Sequence, residues 1–156
     1  PPKRWFTRKG DTPTVSTFDS HEDELSSVAE EISRIRNTDE GRLWTVAVIV
    51  PDSYEAIAQK LLVTPLNDFA IDAAWAVNDK VRDSVHKVVV TKYNNIVGLE
   101  FNAVFVVGVN EILASQTQSA VQSVWVAISR AQQYLNVSRI DSDPIFDDSA
   151  LQSYWN

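Results

Sequence analysis

Two short stretches hold the residues best suited to chemistry. Gly98-Leu-Glu-Phe101 places a carboxylate, Glu100, between two apolar side chains and just after a glycine. Val124-Trp-Val-Ala-Ile-Ser-Arg-Ala131 ends an apolar run on a guanidinium, Arg130. A carboxylate accepts hydrogen bonds from ribose hydroxyls, as acidic residues do in dinucleotide folds. A guanidinium is planar, permanently charged and matched to phosphate oxygens. Gly98 lets the backbone approach closely or adopt positive φ. Each residue also has a plain reading, Glu100 as a strand-edge acid and Arg130 as a solvated cation favoured by a helix dipole. Leu99 and Phe101 read as core. Between Thr91 and Gly98, the residues Tyr93, Asn94 and Asn95 suit stacking on and hydrogen bonding to single-stranded nucleic acid. They equally suit a polar turn.

Composition narrows the choices. The 156 residues contain no cysteine and only two histidines, His21 and His86, so disulfides and Cys-ligated zinc are excluded and other metal sites are not expected. The glycines, at 10, 41, 98 and 108, cannot form Gly-x-x-x-x-Gly-Lys-Ser/Thr, so these residues are not a complete P-loop ATPase. A net charge of −7 argues against gripping a phosphate backbone by bulk charge. Lys3, Arg4, Arg8 and Lys9 nevertheless make a basic lead-in, and the residues from Asp141 onward are acidic. No apolar run approaches a membrane-spanning length, so no membrane partner is expected and a cytoplasmic setting fits. The start, Pro-Pro-Lys-Arg-Trp, suggests a piece of a longer protein.

The elements that must position these residues alternate strand and helix. Thr14–Phe18 reads as a strand, and Asp19 or Ser20 caps a helix whose stripe is Leu25, Val28, Ile32 and Ile35. The acids Glu22, Asp23 and Glu24 read as a solvated helix start. Trp44–Val50 is apolar on both faces, as in the middle of a parallel sheet. A helix from about Tyr54 to Leu62 follows. Pro65 breaks the pattern, Phe69–Ile71 suits a short strand, and Asp72–Arg82 suits a short helix or a loop. Val88–Thr91 and Ala103–Val109 read as core strands. Ser119–Gln132 reads as a helix facing inward through Val121, Val124, Trp125 and Ile128, and Tyr134–Ser138 as a closing strand. The order is the βαβ signature of a mainly parallel α/β sheet. The domain is expected over 14–140, after a lead-in over 1–13 and before an acidic tail over 141–156.

In this order, Gly98-Leu-Glu-Phe101 and Trp125-Val-Ala-Ile-Ser-Arg-Ala131 resemble two motifs of superfamily 1 DNA helicases of the UvrD/Rep type. There they read roughly as Lys-Gly-Leu-Glu-Phe-Asp and Tyr-Val-Ala-(Leu/Ile)-(Thr/Ser)-Arg-Ala. The resemblance spans about 14–139 and implies the C-terminal, second RecA-like domain, a three-layer α/β/α fold without the P-loop. It implies that ATP with Mg2+ is bound mainly by an N-terminal RecA-like ATPase domain of the same protein. Arg130 would then act catalytically on the γ-phosphate, with Gly98 and Glu100 at the nucleotide and Thr91, Tyr93, Asn94 and Asn95 at single-stranded DNA. The chain alone would be inactive.

The sequence also departs from the pattern. Val97 stands where the family has Lys, the family His falls on Asn94 or Tyr93, and six residues rather than five separate Thr91 from Gly98. Gln122 stands where Arg is common. Residues 63–86 are too few for the large accessory domain of such helicases. Two other readings remain open at this point. One is a helicase-derived interaction module without ATPase coupling. The other is an unrelated Rossmann or flavodoxin-like enzyme, but the acid–histidine neighbours Asp83 and His86 read as a surface pair.

Overall fold

The computed structural model describes residues 13–95, 98–114 and 118–140. The basic lead-in, the acidic tail and Val97 lie outside the described residues. Six strands form one sheet: β1 (Thr14–Phe18), β2 (Val46–Val50), β3 (Ala73–Trp75), β4 (Val88–Lys92), β5 (Phe101–Val106) and β6 (Ala131–Ile140). Their order is β1-β6-β5-β2-β4-β3, and every pair is parallel. Tyr134–Ser138 therefore lies within a longer strand held between β1 and β5.

Helices cover both faces of this sheet. On one, α1 (His21–Arg36) sets Leu25, Val28, Ile32 and Ile35 against Val46, Val48, Val50, Val88, Val90 and Phe105. On the other, α5 (Val109–Leu113) and α6 (Gln118–Ser129) bury Ile112, Val124, Ala127 and Ile128 against Ala47, Ile49, Val89, Val104 and Val106. Alternate residues of β2 thus serve opposite cores, which explains why all five are buried. The result is a three-layer, RecA-like α/β/α domain.

Local chemistry sets the ends of α1. The Ser20 hydroxyl accepts from the Asp23 amide at 3.1 Å, and the basic Arg34 and Arg36 occupy the last turn. The next helical stretch runs further than its sequence suggests. After α2 (Glu55–Ala58) comes a π turn, Gln59–Val63, and then α3 (Thr64–Asp68). Pro65 occupies the first turn of α3 directly after the π turn, and the helical path runs on through it instead of breaking.

Other expectations shift. The short strand is Ala73–Trp75, not Phe69–Ile71; Phe69 is 75% exposed, and Ala70 takes a φ of 63° in the turn that closes α3. Only Lys80–Asp83 is helical (α4) in the stretch before β4. β2 starts at Val46, and β5 begins at Phe101 and ends at Val106. Gly108, with a φ of 62°, then redirects the chain into α5, so Val109 is helical. α6 stops at Ser129, which leaves Arg130 beyond the helix and Gln132 inside a strand. Val121 is 39% exposed, and Ala120 and Ala127 supply the small buried positions of that helix.

One correction concerns charge. Glu24 is no part of a solvated helix start: it is 0% exposed. Its carboxylate accepts from the Tyr54 hydroxyl at 2.8 Å, the Gly108 amide at 2.8 Å and the Ser138 hydroxyl at 2.6 Å. A buried carboxylate needs such donors. Glu24 stands four residues before Val28, so helical periodicity places it on the inward face.

Candidate functional site

Parallel sheets usually receive ligands beyond the carboxyl ends of their strands, where the strand order reverses. Here that position lies between β2 and β5, and it is filled. Tyr54, which follows β2, is fully buried, and Gly108 follows β5. A Cβ on Gly108 would lie 2.9 Å from Tyr54 Cζ and 3.0 Å from Pro51 Cγ. Glu24 joins the two through the hydrogen bonds given above. Nearer the surface, Glu111 accepts from the Ser53 hydroxyl and faces His21 Nε2 at 3.4 Å. A tyrosine and a carboxylate thus occupy the crevice that a phosphate loop would otherwise frame.

The opposite edge of the sheet gathers the sequence-assigned nucleotide residues. Glu100 immediately precedes β5 and Arg130 immediately precedes β6, and these strands are neighbours with Phe101 paired to Ala131. The Phe101 amide donates to the Arg130 carbonyl at 2.9 Å. The Arg130 amide donates to the Ala127 carbonyl at 3.1 Å and so closes the end of α6. Arg130 is partly buried, and its Nε is buried without a hydrogen-bond partner. A guanidinium nitrogen in that position is normally satisfied. Glu100 is exposed. Gly98 has a φ of 79° with open space where a Cβ would lie, so it is needed for its backbone angle rather than for room.

Between these residues the sheet carries an irregularity. Phe101 pairs with Ala131 but Ala103 pairs with Tyr134, so β6 holds one extra residue over this interval. The bulge falls at Gln132 and Gln133. Such insertions re-aim side chains and are frequent beside functional sites. Gln132 Nε2 donates to Glu100 Oε2 at 2.7 Å, and Gln133 Oε1 is buried without a partner. Sequence reading assigned neither glutamine, because an alternating strand pattern cannot reveal a bulge.

The residues assigned to single-stranded DNA lie apart from this group, at the carboxyl end of β4. Thr91 is buried, and its Oγ1 has no partner. Tyr93 is half-buried against the core beneath α5 and α6, and its amide donates to the Val50 carbonyl at 3.0 Å. Asn94 is exposed. Asn95 Oδ1 accepts from the Asn78 amide at 3.3 Å. Tyr93, Asn94 and Asn95 follow β4, and Gly98, Leu99 and Glu100 precede β5.

A separate polar groove of about 440 Å³ lies between α1 and the β1–β6 edge, lined by residues that include Glu30, Glu31, Arg34 and Asn136. Arg34 engages Glu31 through Nε at 2.7 Å and Nη2 at 2.8 Å, and the Tyr134 hydroxyl donates to the same carboxylate at 2.7 Å. None of the sequence-assigned site residues lines it. Asp83 and His86 are both exposed. Among the described residues no group of three acids or histidines is placed to hold a metal ion. No helix among them is long and apolar enough to cross a membrane.

Comparison with known proteins places this geometry in a structural context. The chain is similar to the C-terminal domain of a possible DNA helicase from Lactobacillus plantarum WCFS1, with a TM-score of 0.64 and 22% identity over 88% of this chain and 80% of that one. It is also similar to the SWI2/SNF2 ATPase core of Sulfolobus solfataricus, solved in complex with double-stranded DNA, with a TM-score of 0.59 and 14% identity over 92% of this chain and 31% of that one. No family model and no curated protein matches the chain. At these identities the likeness establishes the fold.

Proposed function

We propose that this domain is the second motor domain of an ATP-dependent DNA helicase of the UvrD/Rep type. It would act on ATP held mainly by a companion RecA-like domain of the same protein. The observation that carries the reading is the pairing of Phe101 with Ala131. It sets the exposed Glu100 and the partly buried Arg130 on adjacent strand starts, with Arg130 Nε lacking a partner. The names of the two structural neighbours, a possible DNA helicase and an ATPase core on DNA, support the same class.

The residues fit the group they would meet. Arg130 brings a fixed positive charge and a planar guanidinium to phosphate oxygens, which gather negative charge as the terminal phosphoryl group leaves. Glu100 brings acceptors to sugar hydroxyls. With its own switch-point crevice filled by Tyr54 and Glu24, this domain lends groups across a cleft and does not hold the phosphates itself. The loop 92–97, of which 96 and 97 lie outside the described residues, would relay cleft closure to single-stranded DNA near Thr91, Tyr93, Asn94 and Asn95.

The test is DNA-stimulated ATP turnover by the full-length protein with Tyr93→Ala and Asn94→Ala, separately and together. Loss of the stimulation with basal turnover kept supports the relay. Stimulation equal to wild type in the double variant removes these residues from the account.

A further inference from the structure

Gln132 is a residue that no resemblance assigns. It stands on the β6 bulge, is exposed, and directs its amide nitrogen to Glu100 Oε2 at 2.7 Å. A primary amide has two N–H donors and one carbonyl acceptor. One donor is used on Glu100. The carbonyl and the second donor remain, as does the other oxygen of the Glu100 carboxylate. The bulge produces this arrangement, since the extra residue changes which side chains of β6 stand opposite the start of β5. The pair therefore offers the Gln132 carbonyl and the second Glu100 oxygen as acceptors, on two side chains tied together by the hydrogen bond between them.

A vicinal diol presents two hydroxyl donors, and the pentose of a ribonucleotide carries one. From this we propose that Gln132 is a specificity-determining residue. It holds the Glu100 carboxylate in place and, through its own carbonyl, accepts from one hydroxyl of the ribose while Glu100 accepts from the other. This rests on the reading of Glu100 and Arg130 as nucleotide-facing groups. It adds that the domain selects ribonucleotides over deoxyribonucleotides, and that the bulge is the feature responsible.

The experiment measures equilibrium affinity of the full-length protein by calorimetry. The probes are the β,γ-imido analogue of ATP and its 2′-deoxy and 3′-deoxy forms, and the proteins are wild type, Gln132→Leu and Gln132→Glu. Wild type is expected to bind one of the two deoxy forms about fivefold or more weakly than the parent analogue, the effect of one lost hydrogen bond. Gln132→Leu, a change at an exposed position that leaves the strand intact, should bind the parent analogue more weakly and abolish that preference. Gln132→Glu, which sets two carboxylates side by side, should weaken all three analogues. No discrimination by wild type, or an unchanged preference in Gln132→Leu, overturns the proposal. Turnover of Arg130→Ala in the same preparation separates the two levels. If Arg130→Ala is inactive while Gln132→Leu keeps wild-type preference, only the role of Gln132 fails. If Arg130→Ala is as active as wild type, the underlying reading fails with it.

Discussion

The amide of Phe101 donates to the carbonyl of Arg130 at 2.9 Å, and this bond fixes where Glu100 stands relative to Arg130. The two functional candidates are not on one helix or one loop. They occupy the first positions before two neighbouring parallel strands, and the ladder between those strands holds them in register. Sites built on strand ends are positioned more sharply than sites on loops. The first prediction follows for the backbone. Arg130→Pro would leave its carbonyl in place but remove the amide that closes α6, and should lower stability by about 3 kcal/mol, as for proline in a hydrogen-bonded helical position. Arg130→Ala should change stability by less than about 1 kcal/mol. Urea unfolding of the chain followed by circular dichroism distinguishes the two.

Glu24 provides the second prediction. Three donors converge on its buried carboxylate, from a helical turn after β2, from the bend after β5, and from β6. Glu24→Ala would leave all three without partners, at a cost of about 3 kcal/mol or more. Glu24→Gln keeps the shape and some of the acceptors, and should cost less. A loss below about 0.5 kcal/mol in urea unfolding of Glu24→Ala would show that the hub contributes nothing.

The two glycines with positive φ should respond differently to alanine. Gly98 has open space around it, so Gly98→Ala should cost only the left-handed backbone term, about 1–2 kcal/mol. Gly108 carries the same backbone term, and its new methyl would also press on Tyr54 and Pro51. Overpacking adds about 1–3 kcal/mol. Thermal unfolding of both variants should rank Gly108→Ala clearly below Gly98→Ala, and the reverse order would contradict the packing described around Tyr54.

Titration offers a fourth check. Burial, and then the nearby Glu24 carboxylate, push the Tyr54 hydroxyl well above the ordinary tyrosine range. The folded state therefore keeps a proton that the unfolded chain loses above about pH 10. Stability from this group is complete below that pH and falls as pH rises further. At the acid end the sign reverses. The Arg34 hydrogen bond, opposed by burial and aided by Tyr134, lowers the Glu31 pKa, so its contribution is present at neutral pH and lost as pH falls below the usual glutamate range. Tyr54→Phe should flatten the alkaline limb of a stability–pH curve and Glu31→Gln the acid limb. Curves parallel to wild type would contradict both assignments.

Much of this architecture was legible in the sequence because it rests on periodicity. The apolar run through β2 announced a strand buried on both faces, and the stripe of α1 announced its inward side. The bonded neighbourhood of Glu100 and Arg130 was reachable only through motif resemblance, since no periodic signal brings the start of β5 beside the start of β6. Three features escaped for physical reasons. Glu24 was read by its charge, although its spacing from Val28 set it on the inward face. Pro65 was read as a breaker, although a π turn placed it at a helix start. The bulge at Gln132 depends on pairing with another strand, which the sequence of β6 alone does not specify.

The measurement that tests the central claim most directly is ATP turnover by the full-length protein at saturating DNA, for wild type, Arg130→Lys and Arg130→Ala. A group that acts mainly in the transition state should lower kcat and kcat/KM together. We expect Arg130→Ala to lose about a thousandfold in kcat with nucleotide still bound, and Arg130→Lys, which keeps the charge but loses the planar fork, to recover only part of it. Turnover of Arg130→Ala equal to wild type would contradict the account and favour a helicase-derived interaction module.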